Sequence, residues 1–151
     1  MSQITITSAS ETDIPELIEL LGVLFSIEQD FTPDPDKQRR GLSTLLASPM
    51  GHIAIARDEN ARAVGMATAQ LVISTAEGAP SAWIEDVVVR EDWRGRGVGR
   101  ALLDAVLSWA RSRGAVRAQL LADLDNAPAL AFYDRLGWLP TRLGARRMML
   151  D

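Results

Sequence analysis

Cysteine is absent from this 151-residue chain, and histidine, lysine and tyrosine occur once each, as His52, Lys37 and Tyr133. Without cysteine there is no disulfide scaffold, no thiolate nucleophile and no cysteine-ligated metal site. A single histidine excludes a multi-histidine metal centre, and His52, at the start of a predicted strand, is interpreted as a structural residue. We therefore expect no bound metal, and a cysteine-free composition fits a reducing compartment.

Long apolar runs are also missing. The N-terminal MSQITITSAS lacks the basic patch and apolar core of a signal peptide, and no uninterrupted apolar stretch approaches membrane-spanning length. The hydrophobic content of 47% and the charged content of 24% are ordinary for a soluble globular protein, and the length suits one domain with its own core. The sequence predicts a single cytoplasmic domain over residues 1–151 with no membrane partner.

Charge is distributed unevenly along the chain. The formal net charge is −4, yet residues 1–89 carry 5 basic and 13 acidic side chains, whereas residues 90–151 carry 11 basic and 7 acidic ones. An acidic half beside a basic half suits a cationic substrate and an anionic cofactor, although ordinary solvated faces explain the distribution equally well. The acidic total argues against nucleic acid as the partner.

Hydrophobic periodicity and turn signals predict the element order β, α, α, β, β, β, α, β, α, β. This order mixes an antiparallel meander with two helical crossovers between strands. It predicts an α+β fold with a mixed, mostly antiparallel sheet and helices on both faces. The predicted strands are 3–7, 52–57, 63–74, 82–89, 116–122 and 146–150, and the predicted helices are 14–24, 36–47, 98–113 and 126–136.

The most informative stretch is WIEDVVVREDWRGRGVGRA at residues 83–101, a short apolar run followed by an arginine- and glycine-rich loop and a helix start. Small residues at a helix start aim several backbone N–H groups at one anion, and phosphate is the best partner. A Walker P-loop does not fit, because its Gly-Lys-Ser/Thr ending is missing. A dinucleotide loop stays a minor alternative: Arg100 occupies the place of its third glycine, but Asp123 lies at the distance of its ribose-binding acid.

Three motifs occur at consistent separations along the chain: IEDVVV at 84–89, Arg-x-x-Gly-x-Gly at Arg94, Gly97 and Gly99, and Asn126-x-x-Ala129-x-x-Phe132-Tyr133-x-x-x-Gly137-Trp138. Together they resemble the GCN5-related N-acetyltransferase (GNAT) superfamily. The match is strong over residues 83–139, with Trp138 where phenylalanine is frequent, while the first 80 residues agree only in element order. The resemblance implies a GNAT-like domain with a splay between the fourth and fifth strands, and acetyl-CoA as cosubstrate.

The resemblance also implies how coenzyme A is held. The loop would bind the pyrophosphate, since glycines without Cβ let it lie close to the backbone at the positive end of a helix dipole. An exposed basic helix start without ligand is the alternative. Amides of the fourth strand would bind the thioester carbonyl and the pantetheine arm, and Asn126 would contact that arm or simply cap a helix. The predicted cofactor-binding residues are Val87, Val88, Val89, Arg94, Gly95, Arg96, Gly97, Val98, Gly99, Arg100, Asn126 and Tyr133.

Acetyl transfer from a thioester to an amine needs a neutral amine, a stabilised oxyanion and a thiolate that can leave. Transfer would be direct, because no cysteine can form an acyl-enzyme. Tyr133 is the predicted general acid, with a core tyrosine as the alternative. Glu85 is the predicted general base, directly or through water, with substrate binding as its alternative role. Strand geometry predicts that Glu85 and Asp86 point to opposite faces.

The acceptor is predicted only as a class, an amine on a small molecule, peptide or protein. Phe25, Glu28 and Asp30 join Glu85 as candidates for amine recognition, and a homodimer is consistent with the family. Fold analogy does not choose the acceptor. Two alternatives to catalysis stay open at this point: a noncatalytic acyl-CoA-binding sensor and, less favoured, a dinucleotide-binding (Rossmann-like) protein.

Overall fold

Five strands and four α-helices make up the regular structure in a computed structural model that describes residues 3–28 and 32–150. Contacts group the chain into two units, Met1–Leu120 and Leu121–Asp151. The first unit contains the sheet and three helices, and the second contains the fourth helix. The elements are β1 Thr5–Ser8, α1 Ile14–Ile27, α2 Pro35–Ala47, β2 Gly51–Arg57, β3 Ala63–Ser74, β4 Ala79–Val89, α3 Val98–Ser112, β5 Arg117–Leu120 and α4 Ala127–Arg135.

The strands lie in the sheet in chain order, β1-β2-β3-β4-β5. The first four are antiparallel to their neighbours, and β5 pairs in parallel with β4 after the α3 crossover. The β4–β5 ladder joins Ser81–Ile84 to Arg117–Leu120 and then ends, while β4 continues to Val89. The predicted α+β fold is confirmed, and the predicted splay corresponds to the part of β4 beyond this ladder.

Helices cover both faces of the sheet. On one face α1 and α2 pack on β2, β3 and β4, and on the other face α3 lies against Gly65 of β3 with Val98 and Leu102. The apolar residues that these helices bury against the sheet make the main stabilising contribution in a domain of this size. The buried cluster under α1 and α2 consists of Ile14, Leu17, Leu20, Leu21, Leu42, Ile53, Ile55, Ala63, Met66 and Val88.

An ion-pair network fastens α1 to the hairpin formed by β2 and β3. Glu16 accepts hydrogen bonds from the backbone N–H of Ala63 at 2.9 Å and from Arg57 Nη1 at 3.0 Å, and Arg57 also pairs with Asp13. The Ala63 N–H and the Arg57 guanidinium together lower the pKa of Glu16. The network fixes the start of α1, and with it the direction in which the helix crosses β4.

Gly65 is where α3 and β4 approach β3 most closely. A Cβ placed there would lie 2.9 Å from Leu102 Cδ1 and 3.0 Å from the carbonyl oxygen of Val88. Because the carbonyl belongs to a paired strand and cannot move aside, Gly65→Ala is expected to lower the free energy of unfolding by about 1–3 kcal/mol in urea denaturation.

Gly41→Ala is the matched control for this prediction. Gly41 lies in α2, is exposed, and has no atom within 4 Å of the position of a new Cβ. Alanine there should raise the free energy of unfolding by about 0.5–1 kcal/mol, because glycine is a poor helix former. Equal effects of the two substitutions would contradict the packing argument.

The second unit contains α4, which begins and ends as local signals predict. The side chain of Asn126 caps it by accepting a hydrogen bond from the Ala129 N–H at 3.1 Å, and Gly137 follows its end with φ 89°. The strand predicted at 146–150 is wrong: those residues have no regular structure. A strand needs hydrogen bonds from a neighbouring strand, and the described part of this unit has none to offer.

Candidate active site

The arginine- and glycine-rich loop joins β4 to α3. A 3₁₀ turn at Glu91–Trp93 leads into it, and the chain then passes through two glycines with positive φ, Gly95 at 75° and Gly97 at 82°. Gly97 is the N-cap of α3, so the helix begins at Val98 as predicted. Positive φ is costly for residues with a Cβ, which explains why glycine stands at both turning points.

Six consecutive backbone N–H groups, from Gly95 to Arg100, donate no hydrogen bond to another residue in the parts of the chain that the structure describes. The first backbone hydrogen bond after them runs from Ala101 N–H to the Gly97 carbonyl, at 3.1 Å. Val98 is buried and Gly99 is half-buried, but Gly95, Arg96, Gly97 and Arg100 are exposed, so most of these donors are open to solvent or a ligand. Unpaired amides at the positive end of a 15-residue helix form an anion-binding surface.

Three arginines surround these amides. Arg94 Nε donates to the Val89 carbonyl at 3.0 Å, and the guanidinium of Arg96 lies 4.9 Å from the ring centre of the buried Trp93. Arg100 lies exposed in the first turn of α3. None of the three forms an ion pair with a described carboxylate, whereas Arg57, Arg62, Arg90 and Arg117 all do. The loop therefore combines free positive charge with free amide donors.

The strand before the loop has one edge paired and one edge open. Val88 and Val89 pair with Met66 and Gly65 of β3, and the side chain of Val88 is buried in the core. On the opposite edge no strand of the first unit's described residues pairs with β4 beyond Ile84. An extended ligand could form strand-like hydrogen bonds there with Val87–Val89.

A β-bulge interrupts β4 immediately before these valines. Met66 of β3 pairs with Val88, but Thr68, two residues on, pairs with Glu85, three residues back along β4. The extra residue lies at Asp86–Val87, and Asp86 has a φ of 53°, which aspartate tolerates better than most residues. The bulge resets the alternation of side chains between faces.

Because of the bulge, Glu85 and Asp86 lie on the same face of the sheet. Glu85 is the cross-strand partner of Thr68, and the Thr68 hydroxyl is 3.1 Å from Asp86 Oδ2. The expectation that the two acids point to opposite faces is wrong, since it assumed unbroken alternation. Sequence reasoning gave Asp86 no role; the available signal was an aspartate, a residue that tolerates positive φ, directly before the three valines of the strand.

Burial and the negative charge of Glu85 raise the pKa of Asp86 to about 6, against an ordinary value of 3.8. The Thr68 hydroxyl opposes this rise, and the charge of Glu28, at the end of α1, adds to it. A carboxyl group with a pKa close to neutrality is a candidate for proton transfer at physiological pH.

Glu85 is exposed, and its Oε1 accepts a hydrogen bond of 2.7 Å from the indole N–H of Trp83 on the same strand. Glu28 caps the C-terminus of α1 and is close enough to Asp86 to influence its charge. The structure thus brings together two of the predicted amine-recognition residues, Glu28 and Glu85. Phe25 packs partly buried against the core, and Asp30 lies outside the described residues.

Asn126 and Tyr133 belong to the second unit. The Asn126 side chain is used as a helix cap, which is the simpler of its two predicted roles. The ring of Tyr133 contacts its neighbours edge-on, with centroids 5.2 Å from Phe132 and 6.1 Å from Trp138. Their roles in cofactor binding and acid catalysis stay predictions.

His52 stacks on Trp109 of α3 at 5.0 Å, and burial together with Arg113 lowers its pKa, which fits a neutral structural histidine. In the described ranges there is no group of three or more histidine or acidic residues placed to hold a metal ion. No described helix has both the length and the apolar character to cross a membrane.

Comparison with known proteins matches most of the chain to one protein family. Residues 15–138 match the model of the Acetyltransferase (GNAT) family. An aminoglycoside N(6')-acetyltransferase type 1 from Stenotrophomonas maltophilia is 35% identical over 123 residues, covering 79% of this chain and 80% of that protein. Further curated acetyltransferases match over 34–44% of this chain and 17–33% of their own length.

Solved structures share the fold across nearly the whole chain. A protein described as a transcriptional regulator from Bacillus halodurans C-125 superposes with a TM-score of 0.85 at 25% identity, covering 97% of this chain and 100% of that one. An aminoglycoside N-acetyltransferase in complex with CoA gives a TM-score of 0.83 at 19% identity, covering 99% and 96%. At 19% identity the second likeness concerns the fold alone.

Proposed function

Because the chain belongs to the GNAT acetyltransferase family, we propose that it is an acetyl-CoA-dependent N-acetyltransferase that transfers the acetyl group directly to a primary amine. The observation that carries this proposal is the run of six unpaired amides at Gly95–Arg100, among three arginines without a described carboxylate partner. A pyrophosphate carries two negative charges and many acceptor oxygens, so its chemistry matches this donor set.

Residues of the first unit would hold the pyrophosphate and the pantetheine arm of coenzyme A. The amides of Gly95–Arg100 would hold the pyrophosphate, and Arg94, Arg96 and Arg100 would add charge. The open edge of Val87–Val89 would hold the pantetheine arm and donate to the thioester carbonyl. When bound, acetyl-CoA supplies the reactive thioester and the thiolate leaving group.

The chain's own groups would supply the remaining chemistry. Glu85 would act on the amine as general base, directly or through water, or would bind it as an electrostatic anchor. Its exposed carboxylate lies on the same strand as the amides proposed to bind the thioester. Tyr133 would protonate the leaving thiolate, and Asn126 would contact the pantetheine arm in addition to capping α4. No acyl-enzyme forms, because the chain has no cysteine.

We infer a small molecule with several amino groups as the acceptor. Glu85 and Glu28 are close enough to Asp86 to raise its pKa, and such a group of carboxylates favours a cation with more than one positive charge. The relative with 35% identity is named for an aminoglycoside, a compound of this kind, and peptide amines are the second choice. A single cytoplasmic N-acetyltransferase domain over residues 1–151, with a homodimer as its assembly, completes the proposal.

Two measurements test the proposal with the full chain. Acetyl-CoA should raise the melting temperature, whereas NADH should not, because the loop lacks the third glycine of a dinucleotide site. A panel of aminoglycosides, polyamines and peptides should then give amine-dependent release of free CoA thiol. Stabilisation by NADH alone would favour dinucleotide binding, and acetyl-CoA binding without thiol release by any amine would favour the sensor.

The loop itself can be tested by Gly97→Ala, with Gly78→Ala as matched control. Both glycines have positive φ, 82° and 66°, and neither has an atom within 4 Å of a new Cβ. Both substitutions should destabilise the protein by about 1–2 kcal/mol. Only Gly97→Ala should raise the Kd of acetyl-CoA, by about 10-fold or more, because its Cβ points into the anion-binding surface. Similar Kd values for the two variants, measured by calorimetry, would argue against the loop as cofactor site.

A further inference from the structure

The bulge in β4 places a second carboxyl group beside the position proposed for the thioester. Asp86 directly precedes Val87, the first of the three residues proposed to bind the thioester carbonyl and pantetheine. Without the extra residue the side chain at this position would alternate to the α3 face. With it, Asp86 shares the face of Thr68 and Glu85. A group that deprotonates the attacking amine must lie next to the carbonyl under attack, and Asp86 would do so with the thioester at its proposed position.

The two oxygens of the Asp86 carboxyl group have different surroundings. Oδ2 lies 3.1 Å from the Thr68 hydroxyl, whose residue is only 1% exposed, so this oxygen is anchored in the sheet. Oδ1 has no hydrogen-bond partner among the described residues. Asp86 as a whole is half-buried, so Oδ1 is the oxygen that is available to a ligand. The carboxyl group is thus fixed at one oxygen and open at the other.

Glu85 is placed differently. Its carboxylate is exposed and already accepts the Trp83 indole N–H at 2.7 Å. An exposed carboxylate that is already held by an indole N–H on its own strand suits the binding of an ammonium group at the surface.

From this geometry we propose that Asp86 takes the proton of the acceptor amine at Oδ1, while Glu85 holds the ammonium group in place. The inference rests on the proposed N-acetyltransferase function and deepens it. It assigns two separate roles to adjacent carboxylates that the sequence alone does not distinguish.

The proton balance of the step is simple. The ammonium group of the acceptor transfers one proton to Asp86 Oδ1, and its nitrogen lone pair forms the new bond to the acetyl carbon. The carbon–sulfur bond breaks, and the sulfur leaves as a thiolate that Tyr133 or water protonates. The amide nitrogen loses its second proton to solvent, as does Asp86 before the next cycle. The sum is ammonium plus acetyl-CoA to amide, free thiol and one proton.

The groups facing Asp86 decide its behaviour with pH. Among the described residues these are Glu85 on β4, Glu28 at the end of α1 and the neutral Thr68 on β3. Burial and the two negative charges raise the pKa of Asp86 to about 6. A protonated Asp86 cannot accept a second proton. The value of kcat/KM for the amine should therefore fall about tenfold per pH unit below pH 6.

The test compares Asp86→Asn with Glu85→Gln in the full-length protein, using the best amine from the panel. Asparagine tolerates positive φ and can still accept the Thr68 hydrogen bond, so D86N should keep its fold and its affinity for acetyl-CoA. We expect D86N to lower kcat about 100-fold or more, and E85Q to raise the KM of the amine about tenfold with kcat within about threefold of wild type. The decline of kcat/KM at acidic pH should persist in E85Q but begin at a lower pH, because the charge of Glu85 no longer raises the pKa of Asp86.

The assignment is overturned if D86N keeps kcat within about threefold of wild type, or if kcat/KM of E85Q shows no decline at acidic pH. If D86N fails to bind acetyl-CoA, the pH profile of E85Q decides alone. A decline of kcat/KM at acidic pH in E85Q supports Asp86 as proton acceptor, and the loss of that decline contradicts it. Failure of the proposed function is a separate result, since the wild-type protein would then release no thiol with any amine.

Discussion

Tyr133→Phe is expected to lower kcat by about 100-fold or more with the amine substrate, because the phenol is proposed to protonate the leaving thiolate. Phenylalanine keeps the edge-on ring contacts with Phe132 and Trp138, so the packing of this unit should change little. Steady-state kinetics with saturating acetyl-CoA would measure the loss. The KM of acetyl-CoA should stay within about threefold of wild type if the hydroxyl acts only in the transition state.

Phe132→Leu is the control for this substitution. It removes the neighbouring ring, which lies 5.2 Å from Tyr133, but leaves the phenol in place. We expect a lower melting temperature with kcat reduced less than about tenfold, since packing and not proton transfer is changed. If Tyr133→Phe retains full kcat, Tyr133 is a packing residue and the thiolate leaves without an acid from this position.

Asp86→Asn is expected to stabilise the protein at neutral pH while it impairs catalysis. The pKa of Asp86 is about 6 in the folded protein, against the ordinary value of 3.8 that applies to the unfolded chain, so the folded state binds its proton more tightly. Stability from this group is fully present below pH 3.8 and is lost as the pH rises to 6. The difference between the two pKa values corresponds to about 3 kcal/mol at pH 7.

Urea denaturation of wild type and D86N at several pH values measures this effect. Between pH 4 and pH 7 the stability of D86N relative to wild type should increase by about 2 kcal/mol, most of it between about pH 4 and 6. A pH-independent offset from the amide does not affect this slope, and the other carboxyl groups titrate in both proteins. In a Thr68→Val variant the free energy of unfolding should depend on pH much as in wild type, because the burial of Asp86 remains. A constant difference between D86N and wild type would show that Asp86 has an ordinary pKa.

The two effects expected of Asp86→Asn, higher stability and lower activity, reveal a conflict between stability and function at this residue. An aspartate at Asp86 is costly to fold because its charge is buried beside Glu85 and Glu28, and asparagine would avoid that cost. A carboxyl group retained at such a position is expected where its proton affinity is used. The Thr68 hydrogen bond, which asparagine could also accept, does not by itself require an acid.

Local sequence signals were enough to predict most of the helices and strands. The predicted starts of α2, α3 and α4 agree with the structure to within one residue, because Pro35, Gly97 and Asn126 act on the turn in which they lie. The backbone of the loop also follows from local signals, since glycine stands at the two positions with positive φ, Gly95 and Gly97, while phosphate binding there stays a prediction. The strand predicted at 146–150 failed, because strand formation depends on a partner that local sequence does not specify.

The sequence by itself determined the order of elements from β1 to α4, the loop at Arg94–Arg100 and the absence of cysteine chemistry, because each depends on residue type and spacing over a few positions. Only the tertiary structure decided which carboxyl group is buried. The bulge arises because β4 has two residues, Asp86 and Val87, between the pairs Met66–Val88 and Thr68–Glu85, whereas β3 has one. That register is fixed by packing of both strands against α1 and α3, through contacts between residues far apart in the chain.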